Sequence, residues 1–210
     1  MNDPALTLMQ WLSPAFPVGA FAYSHGLEQA IADGQVNDAA SLQDWIAVLI
    51  TQGSARADAI LLAAAYTADD PAQIDATARA FAASAERLKE ADLQGTAFCD
   101  TARAVWGIDI STLTYPVAVG TAARAMSVPL DQTLPLYLHA FASNLIAAAQ
   151  RLMALGQTTG QQVLADLAPA ITATATEAET TPLDALSATS FAADVAAMRH
   201  ETLSPRIFRT

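Results

Sequence analysis

Between Asp131 and Leu155, the residues Leu134, Leu138, Phe141, Leu145, Leu152 and Leu155 recur at helical spacing, with Ala148 and Ala149 filling the same face. An apolar stripe of that period and length specifies a long helix that must bury one side against other elements. Pro135 falls in its first turn, where a missing N–H costs little. Helix signals also dominate elsewhere. Leu6 and Met9 mark a short first helix, stopped by Ser13-Pro14, and "YSHGLEQAIADG" reads as a helix ending at Gly34. Asn37 or Asp38 caps "AASLQDWIAVLITQG", Asp70-Pro71 starts another helix, and helical pattern runs on through "AERLKEADLQGTAFCDTARAVWG". Gly156 reads as a C-terminal cap, with Thr158 or Thr159 opening the next helix. The Thr/Ala-rich stretch "ITATATEAETTPLDALSATS" shows no clear period and fits a helix end followed by a loop, and "SFAADVAAMRH" closes the series. There is no strand-like alternation and no solenoid repeat. The expectation is one all-α domain over residues 1–198, of about eight to ten helices around a long central buried helix, followed by a tail at 199–210.

A content of 53% hydrophobic and 15% charged residues excludes a disordered chain. Two explanations fit so few charges: apolar surface covered by partners, or alanine-rich helices packed tightly together. The formal net charge of −11 argues against nucleic acid or anionic membrane as a partner. The tail "RHETLSPRIFRT" runs the other way, with Arg199, Arg206 and Arg209 against Glu201 alone, a formal +2 that leaves −13 on the rest. Cys99 is the sole cysteine, so no internal disulfide forms, and "MNDPALTLMQWLSP" lacks a basic, cleavable leader. The longest uninterrupted apolar runs fall short of a bilayer span. A soluble cytoplasmic protein is expected.

The chemistry-bearing residues give little sign of catalysis. Ser24 and His25 are adjacent in sequence, whereas nucleophile and base converge from separate elements, and no nucleophile elbow is present. His25, His139, His200 and Cys99 show no metal-ligand spacing; His139 reads as a core histidine and Cys99 as a small buried hydrophobe. "GQTTGQ" lacks the lysine of a phosphate loop.

The stretch "SPAFPVGAFAYSHGLEQA" is of another kind. Pro14 and Pro17 restrict the backbone, Gly19 permits a turn, and Phe16, Phe21 and Tyr23 either close the core or stand as rigid interface anchors. Glu28 lies one turn beyond Ser24, so the two face the same way.

This stretch resembles the N-terminal signature of the urease accessory protein F family. "YLHAFASNLIAAAQRLMALGQTTGQ" is similar to that family's long helix and following turn, and "MRHETLSPRIFRT" to its terminal motif; the three matches span essentially the whole chain. The resemblance implies an all-α protein that is not an enzyme and holds no metal or cofactor of its own, nickel being handled by a complex. It implies a homodimer that binds the accessory D/H protein and the GTPase G on apo-urease and couples GTP hydrolysis to nickel insertion. The matching partner-binding positions are Tyr23 and Glu28 in the first motif and Arg199, His200, Glu201, Arg206, Phe208 and Arg209 in the last, with Phe21 beside them. Glu28 is expected to tune coupling, and the basic tail to order on partner binding. Two positions depart from the family pattern: Ser204-Pro205 replaces a Tyr-Ser pair, and Thr159 stands where an Asp is common. A small helical nickel carrier acting alone is the alternative.

Overall fold

The computed structural model of the chain describes residues 3–210; Met1 and Asn2, the first residues of the expected 1–198 body, lie outside the described residues. Among the described residues are ten α-helices: α1 Pro4–Trp11, α2 Leu27–Ala32, α3 Ala39–Gln52, α4 Ser54–Thr67, α5 Ala72–Phe81, α6 Ala85–Trp106, α7 Tyr115–Ala125, α8 Leu130–Leu152, α9 Gln157–Thr180 and α10 Phe191–His200. The all-α class and the long central helix are as expected.

Local chemistry places most of the boundaries. Asp3 caps α1 by accepting from the Ala5 N–H at 2.8 Å, and Asp38 and Ser41 form a reciprocal capping box on α3. Ser84 caps α6, and Gly107, at φ 67°, takes the left-handed turn that ends it. Three expectations change. Helix α8 begins at Leu130, so Pro135 lies in its second turn. Gly156 is the N-cap residue of α9, because α8 stops at Leu152 and an irregular link precedes the glycine. Helix α5 begins at Ala72 with Pro71 as its N-cap residue, one place later than Asp70-Pro71 suggested. The Thr/Ala-rich stretch is a helix end followed by a loop, as expected, with α9 running to Thr180. The buried face of α9 reads Val163, Leu164, Leu167, Ile171, Thr174, Ala175 and Ala178, and the last of these are too small to give a strong sequence signal.

Helix α8 buries Leu134, Leu138, Phe141 and Leu145 against α4 and α9. Alanine forms much of the remaining core: Ala55, Ala59, Ala118, Ala122, Ala142 and Ala149 are all fully buried. The low charge content therefore reflects, in good part, helices packed at close range. The segment Ala39–Thr67 would pass for a membrane span by hydropathy, yet 61% of that window is buried in the fold, and Gly53 divides it into α3 and α4. The uninterrupted apolar runs inside it stay short, as expected; only a window that includes polar and charged residues reaches the hydropathy of a span.

Close approach also explains two helical glycines. A Cβ on Gly120 of α7 would sit 2.3 Å from the Leu62 carbonyl oxygen of α4, and one on Gly95 of α6 would sit 2.0 Å from the Leu113 carbonyl oxygen. Backbone cannot move aside as a flexible side chain does. Gly95→Ala should therefore destabilise the fold by about 1–3 kcal/mol through overpacking. A urea midpoint unchanged from that of the native chain would refute this.

Candidate interaction site

Phe16 answers half of the question posed by the opening loop. It packs into an aromatic core, 5.6 Å from Phe98, which also meets Trp11 at 5.3 Å. Gly19, at φ 72°, then turns the chain outward through a single 3-10 turn, Ala20–Ala22, and leaves Phe21 67% exposed. Tyr23 returns inward and is buried. His25 and Gly26 follow in the left-handed region, at φ 53° and 77°. At Gly26 a side chain is also excluded by α10, since a Cβ would lie 2.8 Å from the Ala197 nitrogen. This bend aims α2 so that Glu28 faces inward.

What Glu28 faces is the C-terminal tail. Its Oε1 accepts the Ile207 N–H at 2.7 Å and its Oε2 the Phe208 N–H at 2.8 Å, and His200 Nε2 lies 3.0 Å from Oε2. The other ring nitrogen of His200 lies 2.8 Å from Glu86 Oε2, and Arg206 also pairs with Glu86. His200 is fully buried between two carboxylates. Each of its ring nitrogens thus meets a different carboxylate, one from α2 and one from α6. Further along, the Arg209 N–H donates to the Ala22 carbonyl and the Ser24 N–H to the Thr210 carbonyl, both at 2.8 Å. Loop 19–24 and tail 206–210 thus run side by side as one surface.

The tail lies closed on the body: helix α10 continues through His200, and Phe208 is only 2% exposed. The physical reason is that Glu28 and Glu86 supply buried acceptors for tail N–H and cationic groups.

The nine positions named from sequence sort into two sets. Tyr23, Glu28, His200 and Phe208 are buried and hold the junction together. Phe21, Arg199, Glu201, Arg206 and Arg209 are exposed. Of these, Arg199 pairs with Asp33 at 2.6 Å, Glu201 accepts the Ala85 N–H at 3.0 Å, and Arg206 meets Glu86. Glu86 was missed because an acid in the first turn of a helix is unremarkable in sequence.

A second polar cluster lies beneath the junction and was not anticipated. Glu90, 2% exposed, accepts from Arg87 at 2.5 Å, Gln94 at 2.9 Å and Thr210 Oγ1 at 3.2 Å, and pairs with His25 Nε2 at 3.1 Å. Burial would raise the Glu90 carboxyl, but the Arg87 and His25 charges outweigh it and hold the group down at about 2. Burial likewise opposes the Arg87 charge, yet Glu90 and Asp58 keep its pKa above the ordinary arginine value. Tyr137 donates to Asp58 at 3.0 Å, and burial pushes the Asp58 carboxyl up against the opposing pull of Arg87. Two cavities of about 50 and 60 Å³ adjoin the cluster and share His25, Asp58 and Arg87 in their walls.

The side chains once weighed as metal ligands are dispersed. Cys99 is buried in the core, His25 is on Glu90, and His200 is between Glu28 and Glu86. His139 is exposed, a correction to its reading as a core histidine: it is the residue after Leu138 on α8, one step off the buried face.

The structure is thus an all-α domain whose opening loop and C-terminal tail meet in a closed junction around Glu28 and His200. The UreF family model matches residues 36–168. The urease accessory protein UreF of Roseobacter denitrificans is 54% identical over 211 residues, covering 100% of this chain and 95% of that protein. UreF of Cereibacter sphaeroides is 52% identical with 100% of both chains covered, and UreF of Ruegeria sp. 58% identical with 100% of this chain and 99% of its own covered. The chain belongs to the UreF family of urease accessory proteins.

Proposed function

We propose that this chain acts in urease maturation as a non-enzymatic cytoplasmic scaffold. It bridges the accessory D/H protein and the GTPase G on apo-urease, as a homodimer, and couples GTP hydrolysis to the insertion of nickel, which is the cargo and not a resident cofactor. The observation that carries this reading is the convergence of the first and last family motifs on one surface. There Phe21 and Ile207 stand 67% and 60% exposed on neighbouring stretches of chain. Among the described residues, seven of the nine arginines have a carboxylate within 4.0 Å; Arg151 and Arg209, both at this junction, do not. Two cations without a carboxylate partner beside two apolar side chains suit a protein interface on an otherwise acidic body. Helix α10 adds an outward stripe of Phe191, Val195 and Met198, each more than half exposed and spaced by one helical turn.

Co-purification with the D/H protein and the GTPase is the test. Truncation after Met198 would remove buried His200 and Phe208 and so confuse docking with folding. The variant Phe21→Ala/Ile207→Ala/Arg209→Ala instead changes outward side chains. It is expected to keep its thermal midpoint within a few degrees and to lose complex formation by roughly a hundredfold, the scale of interface hot spots. An intact chain that captures neither partner, or a variant that captures both as well as the intact chain, would overturn the scaffold reading at this surface. Stoichiometric nickel binding by the isolated chain would favour the solitary carrier.

A further inference from the structure

We propose that Arg151, which sequence reading passed over, is the positioning residue that clasps loop and tail into one docking surface; its importance for docking rests on the scaffold role proposed above. Arg151 stands in the last turn of α8, the helix that anchors the core. Its Nη1 donates to the Phe21 carbonyl oxygen at 3.0 Å, and its guanidinium lies over the Phe208 ring, 4.4 Å from the centroid. One side chain thus touches the loop at the residue carrying the exposed Phe21 side chain, and the tail at the residue following the exposed Ile207.

The chemistry suits a clasp better than an ordinary ion pair. No carboxylate holds the Arg151 cation, although the chain has 21 acidic residues. The charge is engaged instead by a carbonyl oxygen and an aromatic face, neither of which neutralises it. Loop and tail are otherwise joined by the main-chain bonds Arg209 N–H to Ala22 and Ser24 N–H to Thr210 and by side-chain bonds at Thr210, from Ser24 Oγ to its carbonyl and from the His25 N–H to its hydroxyl; these set register without fixing the outward side chains. Arg151 ties that register to α8. With the guanidinium gone, Phe21 and Ile207 remain on the surface but are no longer held as a pair.

Amide hydrogen exchange on the isolated full-length protein tests the clasp without any partner. Arg151→Ala is expected to speed exchange of the Arg209 amide by roughly tenfold or more, the combined scale of a charged hydrogen bond and a cation–π contact. Core amides of α3 and α4 should be unchanged. Arg151→Lys keeps the cation but not the planar fork and should restore part of the protection; Arg151→Gln keeps a donor without the charge and should restore less. Co-purification with the D/H protein should follow the same order. Unchanged Arg209 exchange in Arg151→Ala would overturn the clasp. Altered exchange with undiminished complex would overturn its role in docking. If the native chain binds no partner, the exchange result still decides the clasp, and it is the scaffold reading that has failed.

Discussion

Glu28→Ala is expected to release the C-terminal tail and abolish urease activation. The substitution strips the acceptor from two backbone N–H groups and from His200 Nε2 while Glu86 still holds the opposite face of the ring. Removing a buried acceptor leaves each group bonded to it desolvated and unpaired, at a cost of about 1–3 kcal/mol apiece. If the tail stays docked, that cost falls on global stability, and at roughly 2–4 °C per kcal/mol for a chain of this size the thermal midpoint drops by about 10 °C. If the tail opens instead, the midpoint changes less and the Ile207 and Phe208 amides lose their protection. Glu28→Gln separates size from acceptor count. Each carboxylate oxygen takes a different backbone N–H, so an amide must turn its own NH2 toward one of them, and the variant should behave much like Ala. Full activation of urease by Glu28→Ala, with both amides still protected, would remove Glu28 from the mechanism. Because Glu28 faces the tail, the coupling role proposed for it is one exerted through the tail it holds.

The second large effect is expected at Glu90. Glu90→Ala leaves Arg87 buried beside Asp58 alone at a 3.7 Å contact, and should destabilise the protein by about 3–5 kcal/mol. Its pH dependence has a definite sign. The carboxyl is held at about 2 in the folded protein, well below its unfolded value, so the folded state binds fewer protons through that interval. The stabilisation is therefore fully present above the unfolded value and is lost as pH falls toward 2. The stability gap between the native chain and Glu90→Gln should be widest near neutrality and narrow on acidification below about pH 4.5. A gap that stays constant down to pH 2.5, measured by urea unfolding, would show that Glu90 is not ionised against Arg87 as its surroundings require.

How much of this was legible depends on where the determining interaction lies. The buried stripe of α8, the Asp38 cap and the Gly34 turn are set by residues within one or two helical turns of each other, and they could be read directly. His139 could not, because its neighbours Leu138 and Phe141 are core residues and a shift of one position carries a side chain off the buried face. The later turns of α9 were obscured for a related reason: Thr174, Ala175 and Ala178 pack against close neighbours and need no bulk to be buried.

The interaction site divides along the same line. That the tail is basic follows from composition, whereas the spacing of Ser24 and Glu28 is not a helical turn, because His25 and Gly26 between them are left-handed. Neither tells Glu28 that its partners are His200, Ile207 and Phe208, some 170 to 180 residues away in the chain. The sequence by itself determined the all-α class, the Asp38 and Gly34 helix ends and the two end motifs, because short-range periodicity and local hydrogen bonding suffice for these. The tertiary structure alone decided that the ends meet, that four of the nine marked residues face inward, and that Arg151, Glu86 and Glu90 belong to the site. Those contacts join residues distant in the chain, and desolvation and charge pairing act only once folding has brought the groups within a few ångströms.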